Sequence, residues 1–316
     1  MSSSGNSSID STNSSDTTDT STSGSFGTSG VLSKACDQFN FYPDQESAAQ
    51  IIQVTGKKVN AFGYYAHIAG NSYVKGDPST YFTGSEITGE VSAMKSLGAV
   101  FVPSIMPTYG WGGLTTDDNT QAMQIVSVLK QFTDEGIEVW LRFAHEMNWY
   151  QTPDSDDAHS GAQFYSGTAS DVVEAWQVVS TAIKANLPQV KMFWSPNIGQ
   201  TSDYAKYWPG SGIVDIVGVD YYPQGDYGNL APHVQDIHDT YAKANNLPFY
   251  LGETGTTADS ATKLQWVQTL TSSATCSALS NFRGIFWFNY VKGGDFRVVV
   301  AGGGGITSQF MQIMDQ

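Results

Sequence analysis

Apolar runs of strand length alternate with segments of helical period from residue 37 to the end of the chain. The strand-like runs are DQFNFY at 37–42, VNAFGYYAH at 59–67, AVFVPSIMP at 99–107, IEVWLRFAHE at 137–146, VKMFWSP at 190–196, VDIVGVDYYP at 214–223, PFYLGE at 248–253 and RGIFWFNY at 283–290. Between them fall SAAQIIQVTG, EVSAMKSLG, TQAMQIVSVLKQFTDEG, DVVEAWQVVSTAIKAN, VQDIHDTYAKAN and SATKLQWVQTLTSS, with a short helix expected near Tyr204 and a last one at ITSQFMQIM. In the third of these, Met123, Val126, Leu129 and Phe132 recur at helical spacing. Near-continuous apolar strands alternating with amphipathic helices indicate parallel sheet covered on both faces. Eight such units predict an α/β fold, a single (β/α)8 TIM barrel. A doubly wound sheet does not need eight units. The glycine run at 302–305 comes after the eighth unit and follows no strand, so it is no phosphate-binding turn.

Residues 1–30 break the pattern. They are nearly all Ser, Thr, Gly, Asn and Asp, lack the apolar surface to fold, and read as a disordered Ser/Thr-rich linker ahead of a catalytic domain at 31–316. Asn6 and Asn13 open N-glycosylation acceptor triplets, and the Ser/Thr density suits O-glycosylation. Met1 runs straight into serines with no signal peptide, yet the linker suits a secreted protein. In that setting Cys36 and Cys276 are expected to form a disulfide, with two buried thiols as the alternative. No segment is long and apolar enough to span a bilayer. The net charge of −15 argues against nucleic acid or an anionic membrane as partner and fits a neutral polymer. The 8 Trp and 16 Tyr could line a cleft for sugar rings as well as fill a core.

Barrel enzymes gather their catalytic groups at the C-terminal ends of the strands. Two of the runs end on a glutamate, Glu146 after the fourth and Glu253 after the seventh. A carboxyl closing an apolar strand is costly to bury unless it faces a polar site. Two such groups are what glycosidic-bond cleavage by an acid and a nucleophile requires. His67 ends the second strand, Tyr222 follows the sixth and Trp287 sits near the end of the eighth, so all five side chains are expected at one mouth. Alternation along the fourth strand puts Arg142, Ala144 and Glu146 on one face, with Arg142 beneath the site. PTYGWGG at 107–113, with Tyr109 and Trp111, reads as a mobile glycine-rich loop over the mouth.

The order of these pieces resembles the retaining glycoside hydrolases of clan A, and within it family 26, best known for β-mannanases. The resemblance rests on Arg142, then His145-Glu146-Met147-Asn148, then Trp149 and Tyr150. It rests also on WSPN at 194–197, Asp220 with Tyr222, the Glu-Thr-Gly from Glu253, and FRV at 296–298, where the family carries Trp-Arg-Val. It spans roughly residues 37 to 300. It implies Glu146 as general acid/base with a raised pKa and Glu253 as nucleophile, their carboxyls ~5–5.5 Å apart. Tyr222 and His145 would donate hydrogen bonds to Glu253, Arg142 would keep it ionised, and Trp287 would form a platform under the sugar. Trp149, Tyr150, Trp111 and Tyr109 are cleft candidates, and His67 is either a cleft residue or a structural histidine. The family usually has Gly after His-Glu-Met-Asn, whereas here Trp149 follows at once, which leaves mannan, β-1,3-xylan, mixed-linkage glucan and other β-glycans open.

The resemblance implies an endo-β-mannanase-like enzyme that needs no cofactor or metal and acts as a monomer on a polysaccharide. A glycan-binding barrel without turnover is an alternative. A metal-dependent polysaccharide deacetylase is another, set against the five scattered histidines and the Trp149 that stands where His-Glu-x-x-His needs its second histidine. A serine hydrolase lacks its G-x-S-x-G elbow.

Overall fold

The computed structural model describes residues 30–35, 37–151 and 164–316. Eight parallel strands close on themselves: β1 (Asp37–Pro43), β2 (Ala61–Ala69), β3 (Val100–Thr108), β4 (Trp140–Phe143), β5 (Lys191–Trp194), β6 (Ile216–Asp220), β7 (Phe249–Thr254) and β8 (Phe282–Asn289). Each pairs with the next, and β1 pairs with β8 through the register Phe39↔Ile285 and Phe41↔Trp287, so the sheet is a closed barrel. A two-residue strand, Ser33–Lys34, adds antiparallel to β1. The helices surround it: α1 (Ala48–Thr55), α2 (Val91–Leu97), α3 (Thr120–Thr133), α4 (Met147–Tyr150), α5 (Ala169–Asn186), α6 (Thr201–Tyr207), α7 (Ala231–Ile237), α8 (Ser260–Leu270), α9 (Ser273–Ala278) and α10 (Ile306–Met314). The expected TIM barrel is therefore the fold. The Ser/Thr-rich stretch lies outside the described residues, and so does Cys36 of the expected bridge; Cys276 sits on α9.

Strand alternation sorts the core into two shells. Phe39, Phe41, Phe62, Phe101, Ile105, Leu141, Met192, Val217, Leu251, Ile285 and Trp287 face outward into the layer between barrel and helices. Tyr42, Ala61, Val100, Val102, Trp140, Phe193, Ile216, Tyr250, Phe286 and Phe288 fill the barrel interior. The helices start where their sequences supply caps. Ser47 with Gln50 and Thr168 with Asp171 form capping boxes for α1 and α5, and Asp259 caps α8.

Two departures from regular strand geometry aim side chains at the mouth. The expected fourth strand stops three residues early, at Phe143, and the chain turns through left-handed backbone at Ala144 (φ 46°) and Glu146 (φ 52°). Ala144 consequently joins the outer layer and does not share a face with Arg142, as simple alternation had suggested. The pairing of β7 with β6 slips between Val219 and Asp220, where Leu251 and Glu253 face successive β6 residues, and its pairing with β8 slips between Leu251 and Thr254. Leu251 and Glu253 have the same parity, yet Leu251 points outward and Glu253 into the mouth; a bulge re-aims a side chain in this way.

Glycine is required in the layer below. A Cβ on Gly252 would lie 2.1 Å from Oγ of Ser195 and 2.4 Å from Oδ1 of Asp220. Gly252→Ala is therefore expected to push both groups aside and to cost about 1–3 kcal/mol, the usual penalty of overpacking. Urea unfolding checks it, and an unchanged midpoint would show that this layer can yield.

Candidate active site

The barrel mouth opens into a cleft of about 610 Å³ lined by Tyr65, His67, Met106, His145, Glu146, Trp149, Tyr150, Phe164, Tyr222, Glu253, Phe288, Tyr290, Lys292, Gly293 and Phe296. Its floor is a cation. Arg142, fully buried on β4, donates through Nη1 to Oε1 of Glu253 at 2.7 Å and through Nη2 to Oδ2 of Asp220. Nη1 also reaches Oη of Tyr42 (3.0 Å) and Oγ of Ser104 (3.1 Å). Ser195 donates to the other oxygen of Asp220 at 2.5 Å.

Glu253 is surrounded by donors. Besides Arg142, the Tyr65 hydroxyl donates to Oε1 at 2.7 Å and the Tyr222 hydroxyl donates to Oε2 at 2.9 Å. Burial, with the nearby Glu253 charge, raises both phenols well above their usual range, so they stay protonated and remain donors. The imidazole Nε2 of His145 stops 3.7 Å from Oε1, too far for a hydrogen bond. Tyr65, from β2, takes the donor position expected of His145. Burial and the charge of Arg142 hold the His145 pKa well below the normal imidazole range, so the ring is neutral.

Glu146 meets a different environment. It is 8 % exposed, and its one close donor is Nδ2 of Asn197, 2.6 Å from Oε1. Asn197 is fixed in turn by the Asn148 side chain, which accepts from its backbone N–H at 2.8 Å. Desolvation, helped by the Glu253 charge, pushes the Glu146 pKa up to about 7. The mouth thus holds one carboxyl that keeps its proton near neutrality and another cradled by a guanidinium and two phenols. That is the electrostatic form of an acid paired with a nucleophile.

Of the residues singled out in the sequence, Glu146, Glu253, Arg142, His145, Tyr222, Trp149, Tyr150 and His67 are brought together at this cleft or directly beneath it. Trp287 is not. It is fully buried with the outward-facing layer, stacked on Phe39 at 5.9 Å, with its indole N–H bonded to the Phe296 carbonyl at 2.9 Å. The platform role fails on parity: on β8 the inward positions are Phe286 and Phe288, and Phe288, Tyr290 and Phe296 supply the cleft's aromatic wall. Trp111 also stays off the cleft. Its N–H is bonded to the Ser166 carbonyl at 2.7 Å and it packs beside Tyr165, while Tyr109 is 41 % exposed. The sequence reading missed Tyr65, Phe288 and Tyr290, although VNAFGYYAH carries Tyr65 two residues before His67, on the same strand face.

His145, Glu146 and Asp220 offer ligand atoms within 4.8 Å of one another, the one such metal-capable group among the described residues. Asn197 occupies Glu146 and both oxygens of Asp220 are taken by Ser195 and Arg142, so a divalent cation would have to displace the guanidinium from Asp220.

No protein-family model matches the chain, and no curated protein matches it. Solved structures do. The catalytic domain of a glycoside hydrolase family 26 endo-β-1,4-mannanase from Bacillus sp. JAMB-750 superposes with a TM-score of 0.60 at 16 % identity, covering 89 % of this chain and 86 % of that one. A family 26 β-mannanase from Bacteroides ovatus gives 0.59 at 14 %, covering 90 % and 87 %. A fungal β-1,4-galactanase structure gives 0.57 at 13 %, covering 90 % and 98 %. The chain has the fold of the family 26 glycoside hydrolases.

The unequal surroundings of the two carboxyls are testable in solution. Asn197 favours the charged form of Glu146, so Asn197→Ala is expected to move its titration upward from about 7. The size should be about one pH unit, as a charged hydrogen bond of ~1.5 kcal/mol implies. Carbon-13 NMR of labelled glutamate measures it; a downward move would contradict the assignment of causes.

Proposed function

We propose that this protein is a retaining glycoside hydrolase acting on a β-linked polysaccharide. The observation that carries the reading is the contrast at the mouth: Glu146 raised to about 7, and Glu253 held by Arg142, Tyr65 and Tyr222. Glu146 protonates the departing glycosidic oxygen while Glu253 attacks the anomeric carbon from the opposite side. The ester so formed removes the Glu253 charge, which lowers the Glu146 pKa and fits it to act next as base on the incoming water. Phe288, Tyr290, Phe296 and Trp149 offer aromatic faces to the sugar's C–H faces along the cleft.

The fold shared with endo-β-1,4-mannanases favours a mannan, and the departure after Asn148 keeps β-1,3-xylan and mixed-linkage glucan as the alternatives. The Ser/Thr-rich first thirty residues and the Cys36–Cys276 pair favour a secreted protein. Arg142 within the carboxylate cluster weighs against the metal-dependent deacetylase reading.

A screen for reducing-sugar release on mannan, β-1,3-xylan, mixed-linkage glucan and β-1,3-glucan tests the proposal; binding without release would leave the glycan-binding alternative. Glu253→Ala should abolish turnover with the fold intact, and added azide should restore some product of inverted configuration. Full activity in that variant would refute the assignment. The pH profile has a fixed sign. The reactive form carries a proton on Glu146, so kcat/KM is expected to hold below pH 7 and to fall as the pH rises through about 7. A profile still rising past pH 8 would contradict it.

A further inference from the structure

One wall of the cleft, formed by Tyr290 and Phe296, stands on irregular backbone. We infer that Glu46, a buried carboxylate that does not itself line the cleft, is the positioning residue that holds this wall in place for the sugar. The inference rests on the glycosidase reading and adds to it a residue that acts through the backbone of another element.

Residues 290–305 connect β8 to α10. Connections longer than ~12–15 residues without helix or strand are uncommon in compact domains and are usually functional. This one supplies Tyr290, Lys292, Gly293 and Phe296 to the cleft. Apart from a bridge between Val291 and Asp295, it has no strand partner among the described residues. Tyr290 lies flat on Phe288 with ring centres 4.2 Å apart, and Phe296 meets Phe288 edge-on at 5.4 Å. Where the two outer rings stand is therefore decided by whatever fixes the backbone on either side of them.

Glu46 lies in the connection between β1 and α1 and is 2 % exposed. Its Oε1 accepts from Nη1 of Arg297 at 3.1 Å and from the Ala301 N–H at 3.0 Å, and its Oε2 accepts from Nδ2 of Asn289 at 3.4 Å. All three donors belong to the end of β8 or to the loop that follows it. Asn289, fully buried, extends the hold: its Oδ1 accepts from the N–H groups of Val298 (3.0 Å) and Val299 (3.2 Å), and its Nδ2 donates to the Val299 carbonyl at 2.9 Å. Asp295 clamps Arg297 from the other side with bonds of 3.0 and 2.9 Å. Asp44 accepts from the Val291 N–H at 3.3 Å. The loop is thus fixed where it leaves the barrel and where it returns. The FRV motif at 296–298 divides accordingly, with Phe296 lining the cleft and Arg297 turned to Glu46. A carboxylate buried for stability alone could draw its donors from any element; one whose donors all come from the cleft loop and its root sets the shape of the cleft. A wall set before the glycan arrives lowers the ordering cost of binding.

The test is steady-state kinetics on whichever β-glycan the wild type cleaves fastest, at a temperature well below each variant's thermal midpoint. Glu46→Ala removes every acceptor. Arg297→Met removes the ion pair and leaves Glu46 its bond from Ala301. In both, KM is expected to rise at least fivefold with kcat within threefold of wild type, because the wall moves and the Glu146–Glu253 pair does not. Glu46→Gln keeps an oxygen for the Ala301 N–H and is expected to recover most of the loss in KM. A purely structural role would lower the thermal midpoint and leave the KM of the folded enzyme alone. A KM within twofold of wild type in either folded variant would therefore overturn the inference while leaving the glycosidase reading intact. Failure of both variants to fold would assign the cluster to stability alone and overturn it as well. A wild type that cleaves no glycan would remove both the inference and the reading beneath it.

Discussion

The site depends on one buried guanidinium. Arg142 sits fully enclosed beneath the barrel mouth and bonds two carboxyl side chains on separate strands, Glu253 on β7 and Asp220 on β6. A charge in that position is tolerable only because its partners surround it; removing one partner of such a buried pair typically costs ~3–5 kcal/mol. The same contacts decide the chemistry above. Arg142 bonds Glu253 and Asp220 directly, whereas Glu146 is bonded by Asn197 and feels the Arg142 charge only from a distance, so desolvation and the repulsion of Glu253 prevail. Fold stability and the unequal surroundings of the two glutamates thus trace to one side chain.

That arrangement also needs irregular backbone. Regular alternation would bury Glu253 in the outer layer with Leu251, where an ionised carboxyl has no partners. The bulge in β7 turns it inward. After β4, left-handed backbone at Ala144 and Glu146 bends the chain sharply enough to present Glu146 over the mouth and to start the short α4 turn that carries Trp149 and Tyr150 into the cleft. Non-glycine residues in that conformation cost of order 1–3 kcal/mol each and persist where surrounding contacts over-determine them. Here the Ala144 and Glu146 backbone N–H groups are fixed by the Ile105 carbonyl (2.9 Å) and the Ser195 carbonyl (2.8 Å), tying the bend to β3 and to the end of β5.

These irregularities explain what was legible in the sequence. The eight apolar runs and their intervening helical periods define a barrel because burial on both faces leaves a strong local pattern. The motif around Glu146 and the strand ending on Glu253 could be located because strand ends map to one face of the fold. Side-chain direction was harder. Trp287 was placed at the mouth by its nearness to a strand end, but parity turns it outward and gives the cleft to Phe288 and Tyr290. Tyr65 went unremarked because a tyrosine inside an apolar run looks like core, and only the closed barrel brings β2 within a hydrogen bond of β7.

On the proposed mechanism, the roles of the two glutamates could not be exchanged in this scaffold. For Glu253 to act as the acid it would have to donate from a carboxyl at which Arg142 and two phenols that stay protonated already aim their hydrogens. For Glu146 to act as the permanent anion it would have to remain ionised while desolvated and beside the Glu253 charge, with a single amide donor in support. Reversing the two would mean withdrawing the guanidinium from Glu253 and from Asp220, which Ser195 holds in place in the layer that Gly252 keeps at contact distance. If the proposed mechanism holds, the direction of proton transfer is thus set by the packing under the cleft.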